Sequence, residues 1–329
     1  MAATTLAVPA LATPTHSAGQ PPLHQPGDGA GRLGIQLLDA PTNRRSDPRA
    51  HTYIVDHLNP GQSIHRRVRV SNSTPTPLHL DLYPAAAAIT DNAFTFGDGR
   101  AANELTSWTS LPKASLDLAP DTSSTVMVTI NVPPAASAGE RYAVIWAQTR
   151  AAPSPAGNIT QLSRVGVRVY LDIGPGGEPA ASFDITTLTA SKDPNRVPTL
   201  TANVQNTGGR ALDLSGTLAL TNGPASTSAG PFAVTKGTTL APGDIGAVHV
   251  TLDPRLADGP WLAHLKLVSG LAHQEATATI TFPANGAPAQ IIEPVSHHRP
   301  IPLAIVVPLV LLAAALLGVR EWRRTRRGR

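Results

Sequence analysis

The chain has 329 residues, which at about 150 residues per domain is enough for two domains and additional segments. Its formal net charge is +4, but the last ten residues hold six arginines and one glutamate, so the other 319 residues have a net charge of −1. The basic charge therefore belongs to the C-terminal end, and a nucleic-acid-binding role loses its main support. The absence of cysteine excludes disulfides, thiolate catalysis and cysteine-ligated metals.

Residues 1–31 mix proline, glycine, histidine and threonine without a sustained period, which indicates a leader and a disordered segment. Ala10-Leu11-Ala12 has the small-x-small form of a signal-peptide cleavage site. The basic residues that usually open a signal peptide are missing in front of it. We therefore interpret 1–31 as a leader whose signal peptide is truncated or whose true start lies upstream.

Between residues 32 and 175, apolar and polar side chains alternate in short runs, the pattern of half-buried β-strands. Val68 and Val70, for example, alternate with charged residues. Arg66 breaks this alternation, which predicts a bulge or an edge position there. Seven or eight short strands separated by turns, without a window of helical period, predict an antiparallel β-sandwich.

A glycine- and proline-rich linker, 176–182, precedes a second series of alternating segments, 183–283. The two series share an order of motifs. A turn that contains asparagine, at Asn72 and again at Asn206, separates two strands, and a Leu-Ala-Pro turn follows later in each series. This repeat predicts two tandem immunoglobulin-like sandwiches.

The C-terminal part of the sequence predicts a membrane anchor. Residues 284–300 are rich in proline, which favours an extended stalk. Residues 301–319 carry no charge and, at about 1.5 Å per residue, are long enough to cross a bilayer as one helix. Residues 320–329 form an arginine-rich tail, which marks the cytoplasmic side of a membrane. The arginines assigned to this topology are Arg320, Arg323, Arg324, Arg326, Arg327 and Arg329. The predicted fold class is all-β, with two tandem immunoglobulin-like antiparallel β-sandwiches plus one C-terminal transmembrane helix.

The sequence contains no motif that supports an enzyme. Its eleven histidines include no HExxH pair and no Ser/His/Asp order with a nucleophile elbow. The carboxylates fall mostly in turns, and no glycine-rich phosphate loop occurs. We therefore predict no catalytic residue, no cofactor and no metal ligand.

Two groups of arginines predict a modest positive patch on the first domain. One group is Arg44, Arg45 and Arg49, and the other lies on the strand around Val68. Guanidinium groups bind carboxylates of an anionic wall polymer, and an exposed tryptophan stacks on sugars. The candidate ligand contacts are Arg66, Arg67, Arg69 and Trp108. The alternative is that these arginines are ordinary solvated charges.

Several motifs of the first domain resemble one known family. They are Leu58-Asn59-Pro60-Gly61-Gln62, Val68-x-Val70-x-Asn72, Ala88-Ile89-Thr90 through Phe94-Thr95-Phe96, Trp108, Leu116-x-Leu118-x-Pro120, and Val126-x-Val128-x-Ile130-x-Val132-Pro133. Together they resemble the N-terminal, peptidoglycan-binding domain of the WxL-interacting cell-surface proteins of Gram-positive bacteria. The resemblance implies an immunoglobulin-like domain that binds peptidoglycan, in a distant actinobacterial-type member. The segment from Gly139 to Val144 departs from the family because it lacks the expected glycine-rich segment.

We therefore predict a non-enzymatic, single-pass protein of the plasma membrane, with extracellular N-terminal domains and a short cytoplasmic tail. The expected partners are a cell-wall glycan (peptidoglycan) or another surface protein, together with membrane lipid around the C-terminal helix. Nucleic acid is not an expected partner. The alternative is a structural or regulatory subunit of a membrane complex, in which the transmembrane segment engages partners and the sandwiches form a scaffold.

Overall fold

A computed structural model describes residues 33–150, 162–234, 238–284 and 289–296. These residues form two β-sandwiches in succession along the chain, and each sandwich pairs a four-stranded sheet with a six-stranded sheet. The prediction of an all-β fold with two tandem sandwiches is therefore confirmed for the described residues. The sheets are not antiparallel throughout as predicted, because Ile54–Leu58 pairs in parallel with Val169–Ile173.

The first sandwich contains β1 to β10. The strands are β1 (Leu33–Leu37), β2 (Ile54–Leu58), β3 (Ser63–Asn72), β4 (Leu78–Thr90), β5 (Ala93–Phe96), β6 (Thr109–Ser110), β7 (Ser115–Leu118), β8 (Thr122–Asn131), β9 (Gly139–Arg150) and β10 (Leu162–Ile173). The short helices are α1 (Glu104–Trp108) and the 3-10 turns Thr42–Arg44 and Pro48–His51. One sheet has the order β1-β3-β8-β6, and the other has the order β2-β10-β9-β4-β5 with β7 also paired to β4.

The second sandwich contains β11 to β20. The strands are β11 (Phe183–Lys192), β12 (Pro198–Asn206), β13 (Leu212–Thr221), β14 (Ala229–Ala233), β15 (Thr238–Leu240), β16 (Ile245–Thr251), β17 (Trp261–Ser269), β18 (Ala272–Ile280), β19 (Gln290–Ile292) and β20 (Val295–Ser296), with a 3-10 turn at Pro224–Ser226. The sheet orders are β16-β12-β11-β19 and β14-β13-β17-β18-β20, with β15 paired to β13.

β3 illustrates how sequence alternation builds the core of the first sandwich. Val68 and Val70 are buried between the sheets, while the residues next to them on the strand face outward. Pairing between β3 and β8 runs without a shift from one end of β3 to the other, so no bulge forms at Arg66. Arg66 lies on the same side of β3 as Val68, and its Nε donates a hydrogen bond to buried Asp56 of β2 at 3.0 Å. This bond compensates the charge of Arg66 on the core side of the strand.

The asparagine of each predicted turn has the same structural role in both sandwiches. Asn72 and Asn206 are buried, and Nδ2 of each lies within 3.2 Å of three main-chain carbonyl oxygens. Those carbonyls belong to Thr76, Leu118 and Ala119 for Asn72, and to Arg210, Leu240 and Ala241 for Asn206. Each amide therefore joins its own turn to the Leu-Ala-Pro turn of the same sandwich, which is the physical basis of the repeat.

The end of the described chain packs onto the second sandwich. β19 pairs with β11 in one sheet, and β20 pairs with β18 in the other, so residues of the predicted stalk extend both sheets. The predicted transmembrane helix, 301–319, and the arginine-rich tail lie outside the described residues. Among the residues that the structure describes, no helix has the length and apolar character needed to cross a bilayer.

Replacing Asn206 with alanine tests the role of the asparagine turn. The variant leaves three main-chain carbonyl oxygens, in two buried hydrogen bonds and one partly buried one, without this donor, so we expect the free energy of unfolding to fall by about 2 kcal/mol. Urea denaturation followed by circular dichroism measures the change. The matched control is Asn203→Ala on the same strand, whose exposed side chain donates only to Thr187, and a change below about 0.5 kcal/mol is expected there. Equal effects of the two substitutions would contradict this role.

Candidate functional site

The two sandwiches meet around a buried arginine of the second sandwich. The side chains of Arg210 and Glu140 are each 2% exposed, and Arg210 Nε donates to Glu140 Oε1 at 2.8 Å. Glu140 Oε2 accepts the Ala211 main-chain N–H at 2.7 Å. Arg210 also pairs through Nη1 with Glu178, which lies in the linker. One guanidinium thus joins the first sandwich, the linker and the second sandwich.

A second set of contacts continues this interface through the 3-10 turns that precede β2. Arg44 Nε donates to Glu178 Oε2 at 3.0 Å, and its Nη1 donates to Asp47 at 2.6 Å. An ideal Cβ at Gly270, in the turn between β17 and β18, would lie 2.6 Å from Asp47 Oδ1. Gly270 has a φ of +61° and no side chain, so it permits both the turn and the close approach of the carboxylate.

Arg49 and Tyr170 of the first sandwich hold Asp213 of the second. Arg49 Nη1 donates to the carbonyl oxygen of Ala211 at 2.8 Å, and its Nη2 lies 2.9 Å from Asp213 Oδ2. The Tyr170 hydroxyl donates to Asp213 Oδ1 at 2.9 Å. Burial raises the pKa of Tyr170, so its phenol stays protonated and remains a donor at neutral pH.

A cavity of about 270 Å³ lies within this interface, and charged side chains form a large part of its wall. Arg44, Arg49, Glu178 and Arg210 line it, and each of them already contacts an oppositely charged group. Within the described ranges, no three His, Asp or Glu side chains come together to hold a metal ion. The cavity walls therefore serve the contact between the two sandwiches.

The outer face of the six-stranded sheet in the first sandwich collects aromatic side chains, although only 4% of the chain is aromatic. All four tyrosines belong to this group, and neighbouring rings have centroids 5.0 to 6.1 Å apart. The rings are Tyr53, Tyr83, Phe94, Phe96, Tyr142, Trp146 and Tyr170. Four arginines, Arg49, Arg100, Arg164 and Arg168, lie over these rings at 4.3 to 5.3 Å. The second sandwich covers one end of this face, where Ala211 packs against Tyr170.

β10 is only partly paired along one side. β9 pairs with all of β10, from Leu162 to Ile173, but β2 pairs only with the stretch Val169–Ile173. β1 runs beside β10 but is hydrogen-bonded to β3 in the opposite sheet. Among the described residues, the main-chain groups of Leu162–Arg168 that point away from β9 therefore have no strand partner. We call this unpaired side the β10 edge.

The structure does not bring the predicted ligand contacts together. Arg66 is bound to Asp56, while exposed Arg67 is bound to Asp39. Arg69 is exposed on the outer side of β3, and Trp108 packs against the core of the first sandwich. Of the other predicted patch, Arg44 and Arg49 belong to the contact between the sandwiches, and Arg45 is exposed. The six arginines of 320–329 lie outside the described residues.

Sequence reasoning missed Arg210, Glu140 and Glu178. Each lies in a turn, at a strand end or in the linker, where a charged residue is ordinary. The sequence pointed to one of the three only indirectly: Glu140 falls in the segment Gly139–Val144, which departs from the pattern of the WxL-interacting family. The β10 edge was also missed, since alternation reveals a strand but does not reveal how much of its length is paired.

Replacing Arg210 with alanine should release the two sandwiches from each other. The change leaves Glu140 buried without its cation, so we expect the contact between the sandwiches to lose about 3 kcal/mol. Calorimetry should then show two separate unfolding transitions, and small-angle X-ray scattering should show a larger radius of gyration. Arg255→Ala is the control, because Arg255 is 90% exposed and pairs with Asp253 at the surface. A variant with an unchanged radius and a single transition would contradict the role of Arg210.

The sequence matches no protein-family model and no curated protein. Solved structures do match it. The YadV chaperone is 11% identical, with 75% of this chain and 99% of that chain covered and a TM-score of 0.41. The E. coli chaperone DraB is 13% identical, covering 77% and 100%, with a TM-score of 0.39. A Salmonella enterica complex of the SafA pilin with the SafB chaperone is 10% identical, covering 76% and 97%, with a TM-score of 0.40. At such identities the matches describe the fold alone.

These matches correct two predictions made from the sequence. The resemblance to the WxL-interacting family is wrong, because the solved structures that match this chain include the YadV, CupB2 and DraB chaperones and the complex of the SafA pilin with the SafB chaperone. The predicted location, a single-pass protein of the plasma membrane, is contradicted by the same matches to chaperones, and no helix among the described residues is long and apolar enough to cross a membrane. Neither glycan nor lipid gains support as a partner from them.

Proposed function

We propose that this chain is a non-enzymatic binding protein that captures an extended segment of a partner protein at the β10 edge. The observation that carries the proposal is the incomplete pairing of β10. Its pairing with β2 covers only Val169–Ile173, whereas its pairing with β9 extends to Leu162. An extended segment that adds to a sheet edge satisfies main-chain N–H and C=O groups on both chains. The partner is therefore a protein with an accessible extended segment.

The side chains of the β10 edge fit this mode of binding. Val167 is buried and Val165 is half-buried, and both face the core of the first sandwich. An added strand places every second side chain on that same side, so its apolar residues would extend the core. Natural proteins usually cover or shorten long unpaired edges because they promote unwanted association. Within the described part of the chain the edge is left open over Leu162–Arg168, which is consistent with a place reserved for a partner.

The fixed position of the two sandwiches supports the same function. β10 ends at Ile173, and Glu178 of the following linker is held by Arg44 and Arg210. The edge is thus built on a strand that is anchored at its C-terminal end by buried charges. Because such a strand is already rigid, it loses little conformational entropy when a partner binds, and this favours affinity.

A synthetic strand tests the proposal directly. The probe is a fluorescent nine-residue peptide in which threonine and valine alternate, and its binding to the full chain is measured by fluorescence anisotropy. In an added strand only every second N–H faces β10. Two versions of the peptide are compared, one N-methylated at its threonines and the other at its valines. The version whose methylated amides face β10 should bind at least about tenfold more weakly, because its main-chain donors are removed, and the other version should keep its affinity.

The control is a peptide of identical composition with its threonines and valines in separate blocks, which cannot place apolar residues on one side only. We expect it to bind more weakly than the alternating peptide. The proposal fails if the alternating peptide does not bind at concentrations up to about 1 mM. It also fails if the two N-methylated versions bind equally well, since strand addition requires that only one set of amides faces β10.

A further inference from the structure

We propose that the captured segment carries an acidic side chain, and that Arg164 on the outward side of the β10 edge binds it. This inference rests on the proposed function and specifies the class of partner: an extended segment with apolar residues on one phase and an acidic residue on the other. Arg164 lies within the unpaired stretch of β10 and is exposed. Its side chain shares the outer face of the sheet with Trp146, which is on the neighbouring strand β9.

Arg164 is held in place by stacking and not by an ion pair. Its guanidinium carbon lies 4.4 Å from the centroid of the Trp146 ring, and no acidic partner faces it among the described residues. A guanidinium that stacks on a ring keeps its in-plane N–H donors directed outward. Those donors match the two oxygens of a carboxylate. The Arg164–Trp146 stack therefore presents a fixed cation with donors still available.

Gly166 is the reason that the tryptophan can lie flat beside this edge. Gly166 stands directly opposite Trp146 in the pairing of β9 with β10. An ideal Cβ at Gly166 would lie 2.6 Å from the ring, so any other residue would displace the indole. Phe96 packs on the other side of Trp146 with ring centroids 5.0 Å apart, and Trp146 is only 6% exposed. The position under Arg164 is therefore rigid.

The other arginines of this face are already neutralised. Arg168 pairs with Asp213 at 3.3 Å and lies over Phe94, and Arg100 pairs with Asp81 at 3.2 Å. Arg164 differs from both, because it stacks on Trp146 without an ion pair to any carboxylate of the described residues. It is the cation of the β10 edge that an incoming acidic group would meet. In paired strands, directly opposed residues of opposite charge attract each other.

The same charges disfavour a second copy of this chain as the occupant. Symmetric antiparallel pairing of two β10 edges around Gly166 would place Arg164 of each copy opposite Arg168 of the other. Like charges that oppose each other across two strands repel. Charge complementarity therefore favours an acidic partner segment over self-association in this register.

Three probes of one design test the inference. They are the alternating threonine–valine peptide and two versions in which the central threonine is replaced by glutamate or by lysine. The repeat lets each peptide shift along β10 until the charged residue lies opposite Arg164. We expect the glutamate peptide to bind about fivefold more tightly than the threonine peptide, and the lysine peptide to bind more weakly. Raising the salt concentration should reduce the difference, because Arg164 is exposed.

Variants of the full chain show whether Arg164 is the residue that causes the preference for the glutamate peptide. Arg164→Gln should abolish the difference between the glutamate and threonine peptides, so that the two peptides bind this variant with equal affinity. Arg164→Lys should lose most of the difference, because an ammonium has neither the planar stack nor the paired donors. Arg69→Gln is the matched control, since Arg69 is an exposed strand arginine in the opposite sheet of the same sandwich, and it should leave the difference intact.

The outcomes separate the two proposals. Failure of the threonine peptide to bind would overturn the proposed function, and this inference with it. If the threonine peptide binds but glutamate gives no gain, the inference about an acidic partner is wrong and strand addition stands. The inference is also wrong if the gain from glutamate persists in Arg164→Gln.

Discussion

The structure depends on one buried guanidinium. Arg210 is closed off from solvent and is compensated by Glu140 of the first sandwich and Glu178 of the linker. Such a group is unfavourable unless its partners stay in place, so its burial requires the two sandwiches and the linker to keep one arrangement. Its backbone is fixed as well, because the carbonyl oxygen of Arg210 accepts a hydrogen bond from buried Asn206. Interactions within one sandwich and between the two therefore converge on a single residue.

This arrangement determines which surface of the first sandwich remains open. The second sandwich covers the end of the six-stranded sheet at Tyr170, where β2 also completes the pairing of β10. The pairing with β2 stops at Val169, and the contact with the second sandwich extends to Arg168, which pairs with Asp213. Toward Leu162 the outer face carries Arg164 over Trp146, and among the described residues the main chain of β10 is unpaired on one side. The same strand thus serves as a structural element at one end and as the proposed binding edge at the other.

Much of the fold followed from the sequence because strand alternation and turn motifs are local. The alternation around Val68 and the paired motifs at Asn72 and Asn206 led to two sandwiches, and the structure gives a hydrogen-bonding reason for the repeat. The site was not predictable in the same way. Arg210 and Glu140 are 70 residues apart, and no periodicity relates them. Arg44 and Arg49 were interpreted as surface charges because a sequence does not show which charges become buried. The family assignment also rested on turn motifs that many β-sandwiches share, and it did not hold.

The central claim is that β10 offers an unpaired edge over Leu162–Arg168 in the free protein. Hydrogen–deuterium exchange of the full chain, resolved to single amides, measures this directly. We predict that alternate amides of Leu162–Arg168 exchange rapidly, because they point away from β9, whereas the amides of Val169–Ile173 that are bonded to β2 or β9 exchange slowly. Slow exchange at every amide of Leu162–Arg168 would mean that the edge is already occupied, and it would contradict the account.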